Sequence, residues 1–275
     1  MKNILVSTTF SKNCTYAVDL GIKLAKHNNA EIHFFHFIKT PVDWLEISKA
    51  KESNYPETLK QIVDANSKLK DYGLLAENEH LKYRTFIEFD ESPENILQHS
   101  NNFHHDFIVT GSEIKRNINE PTRSYVELIV RKANVPVLIV KKSNILFPFK
   151  NIVFISNFKN DISNALKEVI SIAKKCNAKI HLLQILTETG SKNSTHGLNP
   201  VEQLLQKFPK FKNYALTVYN EPSVENGINR FIKQQPVDLI AMVTHGNTGF
   251  LNLLSKPKDK GLSNNSTLPF LTMNI

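Results

Sequence analysis

Residues 30–35 read AEIHFF, and 148 positions later residues 178–183 read AKIHLL. The same offset relates NILV at 3–6 to NIVF at 151–154. Further along, DFIVTG at 106–111 returns as DLIAMV at 238–243, and VPVLIV at 135–140 returns as LPFLTM at 268–273, at offsets of 132 and 133. The chain is a tandem duplication, and its second copy has lost about 16 residues between its second and fourth strands. A solenoid is excluded, because solenoid units run only ~20–50 residues. The copies span residues 1–143 and 149–275, divided at SNILFPFK (143–150), where the pattern restarts after Pro148.

Each copy alternates strand and helix. ILVST is a short apolar run, and Tyr16, Val18, Leu20, Ile22 and Leu24 then follow at helical spacing. EIHFFHFI is rich in β-formers, and residues 57–72 carry Leu59, Ile62, Val63, Asn66 and Leu69 three and four apart, which predicts a helix. YRTFIEF alternates as a strand does. Ser92 followed by Pro93 supplies a helix start, with serine as N-cap and proline in the first helical position. DFIVTG, a helix near 121–133 and VPVLIV complete the copy, and the second copy repeats the order, with its third helix starting at Pro222-Ser223. Continuously apolar strands such as FIVT and VLIV are strands covered on both faces, the mark of a parallel sheet between helical layers. Each copy is therefore expected to be an α/β, doubly wound, parallel five-stranded sheet. The long apolar last strands, VPVLIV and LPFLTM, would be aggregation-prone edges if left bare, so they are expected to pair with each other as an intramolecular pseudo-dimer.

Composition narrows the function. The 275 residues include 34 Lys+Arg against 26 Asp+Glu, a net charge of +8, but the longest basic clusters are pairs such as Arg131-Lys132 and Lys141-Lys142. Nucleic-acid binding calls for a stripe or patch, so scattered charge argues against it. Two cysteines, Cys14 and Cys176, do not make a disulfide framework and fit a reducing compartment. MKNILVSTTF turns polar after six residues, and no apolar run reaches the ~18 residues of a membrane helix, so no membrane association and a cytoplasmic location are expected. Nine glycines are under half the usual share of roughly 7%, which speaks against several glycine-rich phosphate loops.

In order and spacing, VSTTFS (6–11), AEIHFFHF (30–37), DFIVTGSE (106–113) and VPVLIV (135–140) resemble the universal stress proteins. The pattern recurs as FISNFK (154–159), AKIHLLQI (178–185), DLIAMVTHGNTG (238–249) and LPFLTM (268–273), so nearly the whole chain is similar to a tandem, two-domain member. The resemblance implies a Rossmann-like fold of the adenine nucleotide α-hydrolase type and a cytoplasmic stress-response protein. Members are often dimeric, so a homodimer is expected besides the pairing of the two domains. Many members bind ATP through a G-x-x-G-x9-G-S/T loop after the fourth strand, with an Asp at the end of the first strand beside the nucleoside. Glycines there let backbone N–H groups surround phosphate oxygens at a helix N-terminus.

The chain departs from that loop in both copies. Gly111 and Ser112 open it in the first, but Ile114 stands at the second glycine position, and the final pair reads Arg123-Ser124, one residue early. In the second copy Val243 replaces the first glycine, Gly246 keeps the second, and the final pair falls on Lys256-Pro257, whose proline has no N–H to offer. Thr9, after Thr8, and Asn157 take the place of the strand-one Asp. Thr244, Gly246, Asn247, Thr248 and Gly249 form the best surviving anion loop, set against the simpler reading of an inherited turn that binds nothing. The candidate nucleotide contacts are thus Thr244, Gly246, Asn247, Thr248, Gly249, Asn157, Thr8, Thr9, Gly111 and Ser112.

Ten histidines raise the question of a metal. His33 and His36 lie three apart on one strand and face opposite sides, His104 and His105 diverge, and no Cys-x-x-Cys or His-x-x-x-His pair exists, so no metal site is expected. No Gly-x-Ser-x-Gly elbow or Walker loop supports catalysis, and Cys14 has no counterpart in the second copy, where Ile162 stands. The expectation is a non-enzymatic binding module with degenerate nucleotide loops, acting on an unidentified protein or small-molecule ligand. The alternative is an ATP-binding member, with ATP as its ligand at the second-copy loop and a slow ATPase activity.

Overall fold

The computed structural model describes residues 1–89, 93–112, 125–143, 145–158, 161–187, 200–244 and 267–274. The chain divides into two compact units, Met1–Ser143 and Asn144–Ile275.

Unit 1 runs β1 (Asn3–Thr8), α1 (Lys12–Asn28), β2 (Glu31–Ile38), α2 (Lys49–Glu52), α3 (Pro56–Asn78), β3 (Tyr83–Phe89), α4 (Pro93–Asn102), β4 (Phe107–Gly111), α5 (Tyr125–Lys132) and β5 (Val137–Val140). Its strands are all parallel and ordered β3-β2-β1-β4-β5. The winding moves outward from β1 to β3, then crosses back to β4 and continues to β5. Right-handed crossovers therefore place α1 and α3 on one face and α4 and α5 on the other, and each of these helix pairs is in contact. Unit 2 runs β6 (Asn151–Ile155), α6 (Ser163–Cys176), β7 (Lys179–Leu186), α7 (Pro200–Gln206), β8 (Tyr214–Asn220), α8 (Val224–Gln234), β9 (Leu239–Thr244) and β10 (Phe270–Asn274). It repeats the parallel order as β8-β7-β6-β9-β10. Two doubly wound parallel α/β sheets of five strands are thus present.

The central strands are buried end to end, as their unbroken apolar runs require: β4 and β5 have no exposed residue, and β6 only a partly exposed first one. The outer strand β8 alternates between partly exposed and exposed positions.

The stretch that repeats most clearly has a local cause. Asn29 and Asn177 end α1 and α6 in the left-handed conformation, both at φ 52°, which asparagine tolerates better than most residues. Ala30 and Ala178 then donate to Ala25 and Ala173 at 3.0 and 2.8 Å, and the chain turns into β2 and β7.

The aspartate of DFIVTG and DLIAMV also has a repeated task. Asp106 Oδ2 accepts from the Lys2 backbone N–H at 2.6 Å; Asp238 Oδ2 accepts from those of Lys150 and Asn151 at 2.7 and 2.8 Å. Each carboxylate ties down the start of the central strand beside it. Removing it in Asp238→Ala strands two backbone donors and is expected to cost about 1–2 kcal/mol in urea unfolding, with Asp238→Asn costing less.

The helix predicted over 57–72 extends to Asn78, passing through Gly73. A Cβ at Gly73 would run into the Tyr83 ring, so this glycine makes room for an aromatic side chain of β3. Between β7 and β8 the corresponding helix, α7, has 7 residues where α3 has 23, which is where the second copy is shorter. Ser92 and residues 121–124, the expected helix starts, lie outside the described residues.

Candidate functional site

In an open α/β sheet, ligands bind beyond the carboxyl ends of the strands where the winding reverses. Here that is the gap between β1 and β4 in unit 1 and between β6 and β9 in unit 2.

In unit 1, β1 ends in Thr8, which is buried, and its Oγ1 accepts from the Phe10 N–H at 3.0 Å. This small turn holds Phe10 at φ 59°, a left-handed conformation that is strained for an aromatic residue. The Phe10 ring lies 4.1 Å from that of His36, and Lys68 Nζ sits 5.0 Å above it. His36 Nδ1 donates to the Thr8 carbonyl at 2.8 Å. Ser11 caps α1 by accepting from Cys14 N, and the Thr9 N–H and Oγ1 both lie 3.4 Å from Cys14 Sγ. Gly111 ends β4, and a Cβ there would come within 2.9 Å of both the backbone nitrogen and the Sγ of Cys14. Its open space is filled by the first turn of α1. The Ser112 N–H continues the sheet by donating to the Val140 carbonyl at 2.9 Å.

Unit 2 has the same turn. Ser156 Oγ accepts from the Phe158 N–H at 3.0 Å, and Phe158 sits at φ 56°. The Asn157 carbonyl accepts from Gln184 at 3.3 Å, and buried Thr244 donates through Oγ1 to the Met273 carbonyl at 3.3 Å. Gly246, Asn247, Thr248 and Gly249 lie outside the described residues, as do Glu113–Ser124 after the first loop glycine.

The histidines are arranged differently from the sequence expectation. His33 and His36 do face opposite ways and His104 is exposed, but buried His105 meets His33 across 72 positions of chain, with Nε2 2.8 Å from His33 Nδ1. His99 of α4 joins them, and one ring nitrogen from each of the three lies within 4.8 Å of the others. All three are at most 5% exposed. A search by spacing along the chain could not find this set, because its members come from β2, α4 and the turn before β4. The comparison of the two copies carried the signal: at the offset of 132, Phe231 stands for His99 and Val237 for His105.

Carboxylates stand behind two of these rings. His33 Nε2 is 3.0 Å from Glu31 Oε1, and His99 Nδ1 is 3.0 Å from Glu88 Oε1. Burial pushes the pKa of all three histidines down, with Glu31 and Glu88 partly opposing this at His33 and His99; His105, which also faces the other two rings, falls to about 3. The cluster is therefore neutral at ordinary pH.

Among the described residues no helix is long and apolar enough to cross a membrane. No curated protein matches the chain. Among solved structures, a universal stress protein from Archaeoglobus fulgidus DSM 4304 is similar over 99% of this chain and 96% of its own, at 15% identity and a TM-score of 0.72. A protein of unknown function from Pseudomonas aeruginosa PAO1 is similar over 100% of this chain and 92% of its own, at 13% identity and a TM-score of 0.62. These likenesses speak to the fold. The model of the universal stress protein family matches residues 1–141, and with the sheet order and duplicated strand pattern already described, the chain belongs to that family.

Proposed function

We propose that the protein is a non-enzymatic stress-response module of the cytoplasm that works by binding a protein or small apolar ligand, with nucleotide crevices that no longer take adenine nucleotide. What supports this reading is the use made of the motif glycine in unit 1: the space beside Gly111 is taken by Cys14, so the glycine serves helix packing. The other described candidates point the same way. Thr8 Oγ1, the Ser112 N–H and Thr244 Oγ1 are each engaged by the protein's own backbone. Neutral Thr9 and Asn157 stand where the family carries an acid.

Thermal melting with and without millimolar Mg-ATP tests the proposal, and no shift in midpoint is expected. A ligand at 100 times its dissociation constant would add about 2.7 kcal/mol, which is readily seen. Such a shift, or adenine nucleotide co-purifying with the chain, would overturn the reading in favour of an ATP-binding member. Loss of the shift in Gly246→Val would then place the nucleotide at the second-copy loop.

A further inference from the structure

We propose that His33, His99 and His105 of unit 1 form a site for a divalent transition-metal ion of the zinc class, with His33 Nδ1, His99 Nε2 and His105 Nε2 as ligands.

The carboxylates select these atoms. Glu31 accepts a hydrogen bond from His33 Nε2–H and Glu88 one from His99 Nδ1–H, which leaves His33 Nδ1 and His99 Nε2 as bare lone pairs. A carboxylate behind a histidine is the usual means of fixing the tautomer and orientation of a metal ligand. His33 Nδ1 can then only accept, so His105 Nε2 donates to it at 2.8 Å. Among the described residues His99 Nε2 is buried without a hydrogen-bond partner, as is His105 Nδ1. Leaving a buried polar atom unpaired is costly, and a cation between the rings would engage the His99 lone pair.

The fit requires the rings to move. Two nitrogens bound to zinc at ~2.0–2.1 Å in tetrahedral geometry lie about 3.3 Å apart, so His33 and His105, now 2.8 Å apart, must separate by about half an ångström, and the widest pair of the set, within 4.8 Å, must close by up to about 1.5 Å. The proton on His105 moves from Nε2 to Nδ1 as the metal enters; the nearby Ser100 carbonyl favours a proton on that ring. All three imidazoles stay neutral, and the proton count is unchanged. The rings of Phe86 and Phe103, with centroids 4.4 and 4.5 Å from that of His99, provide an apolar wall.

Unit 2 supplies an independent argument, because it builds the same fold without the cluster. His181 repeats His33, but Phe231 and Val237 stand for the other two histidines. Ile96 and Ile228 are both buried at that same offset, so the helices correspond. Lys179 replaces Glu31, and the strand register places Tyr219 where Glu88 stands. Two of the three ligands and both supporting carboxylates thus differ together, and only His33 has a counterpart. The fold does not need the set, and packing alone gives no reason to bury three unprotonated imidazoles with two carboxylates behind them.

The test uses the full chain, stripped with a chelator and titrated with Co2+ and then Zn2+. One equivalent of Co2+ should give the visible absorption of a four-coordinate ion, and Zn2+ should displace it one for one. His99→Phe with His105→Val, which installs the residues of unit 2, should keep the circular dichroism of the wild type and lose the cobalt absorption. Glu88→Gln, at a positioning residue, should keep a site but weaken Zn2+ binding by about 10–100-fold. Only the weak spectrum of six-coordinate cobalt in the wild type would overturn the proposal, as would unchanged binding in the folded double variant. The wild-type spectrum decides the matter even if the double variant does not fold.

Discussion

Gly111→Val should lower the unfolding midpoint by about 10 °C with no ligand present. Gly111 has no unusual backbone angle, so its glycine is required for space alone. A Cβ would sit 2.9 Å from the Cys14 nitrogen and 3.0 Å from the Asn13 carbonyl carbon, and those backbone atoms begin α1. They cannot swing aside as a side-chain end can, so helix and strand must separate. Overpacking of this kind costs about 1–3 kcal/mol and more when backbone must move, so about 3 kcal/mol is expected, at roughly 3–5 °C per kcal/mol for a unit of this size. Adding Cys14→Ala removes the Sγ clash but leaves the backbone one, and should recover only part of the loss. Scanning calorimetry of the three proteins checks this. A wild-type midpoint for Gly111→Val would mean that the glycine is free of packing duty, and would reopen its place as a phosphate contact.

Phe154→Ala should cost about 3–5 kcal/mol, the range for deleting a fully buried phenylalanine. Phe154 is completely buried in β6, between Leu182 of β7 and Ala241 of β9, and its ring meets that of Phe158 edge-on. The rigid centre of a parallel sheet cannot collapse around the cavity, so the upper half of the range is expected. Urea unfolding measures it, with Phe154→Leu as the control that keeps most of the volume and should lose no more than about 1.5 kcal/mol. A loss for alanine no larger than for leucine would show that the strand is not packed as described.

These effects fall on elements that were easy to read. FIV (107–109), VLIV (137–140) and IVF (152–154) are apolar at every position because both faces of a central strand are covered, and the repeat confirmed each strand by its copy. Asn29-Ala30 and Asn177-Ala178 are local signals, a left-handed helix end followed by a strand, and needed no tertiary information. The length of α3 was harder to read, since Gly73 looks like a stop until the Tyr83 ring that occupies its space is known. The nucleotide candidates were found from a family pattern, but that pattern does not say that Cys14 fills the space beside Gly111. The histidine set was the least legible part. Its members are distant in sequence, and pairwise spacing looks only along one element, whereas the sheet order brings β2 against α4 and the approach to β4. Comparing polar positions between the copies, His99 with Phe231 and His105 with Val237, was the route by which sequence alone could have reached it.

The turn at Phe10 and Phe158 also carries a chronology. Two phenylalanines in the same strained left-handed conformation, each held by a hydroxyl two residues earlier and separated by the repeat offset, are one inherited device rather than two inventions. The device is therefore older than the duplication, and belongs to a single-domain ancestor of this chain. The histidine cluster, present in one copy and replaced by phenylalanine and valine in the other, records divergence after that event. The ancestral turn is the part of the protein to look for in single-domain relatives, and the cluster is the part by which descendants of the duplication should differ.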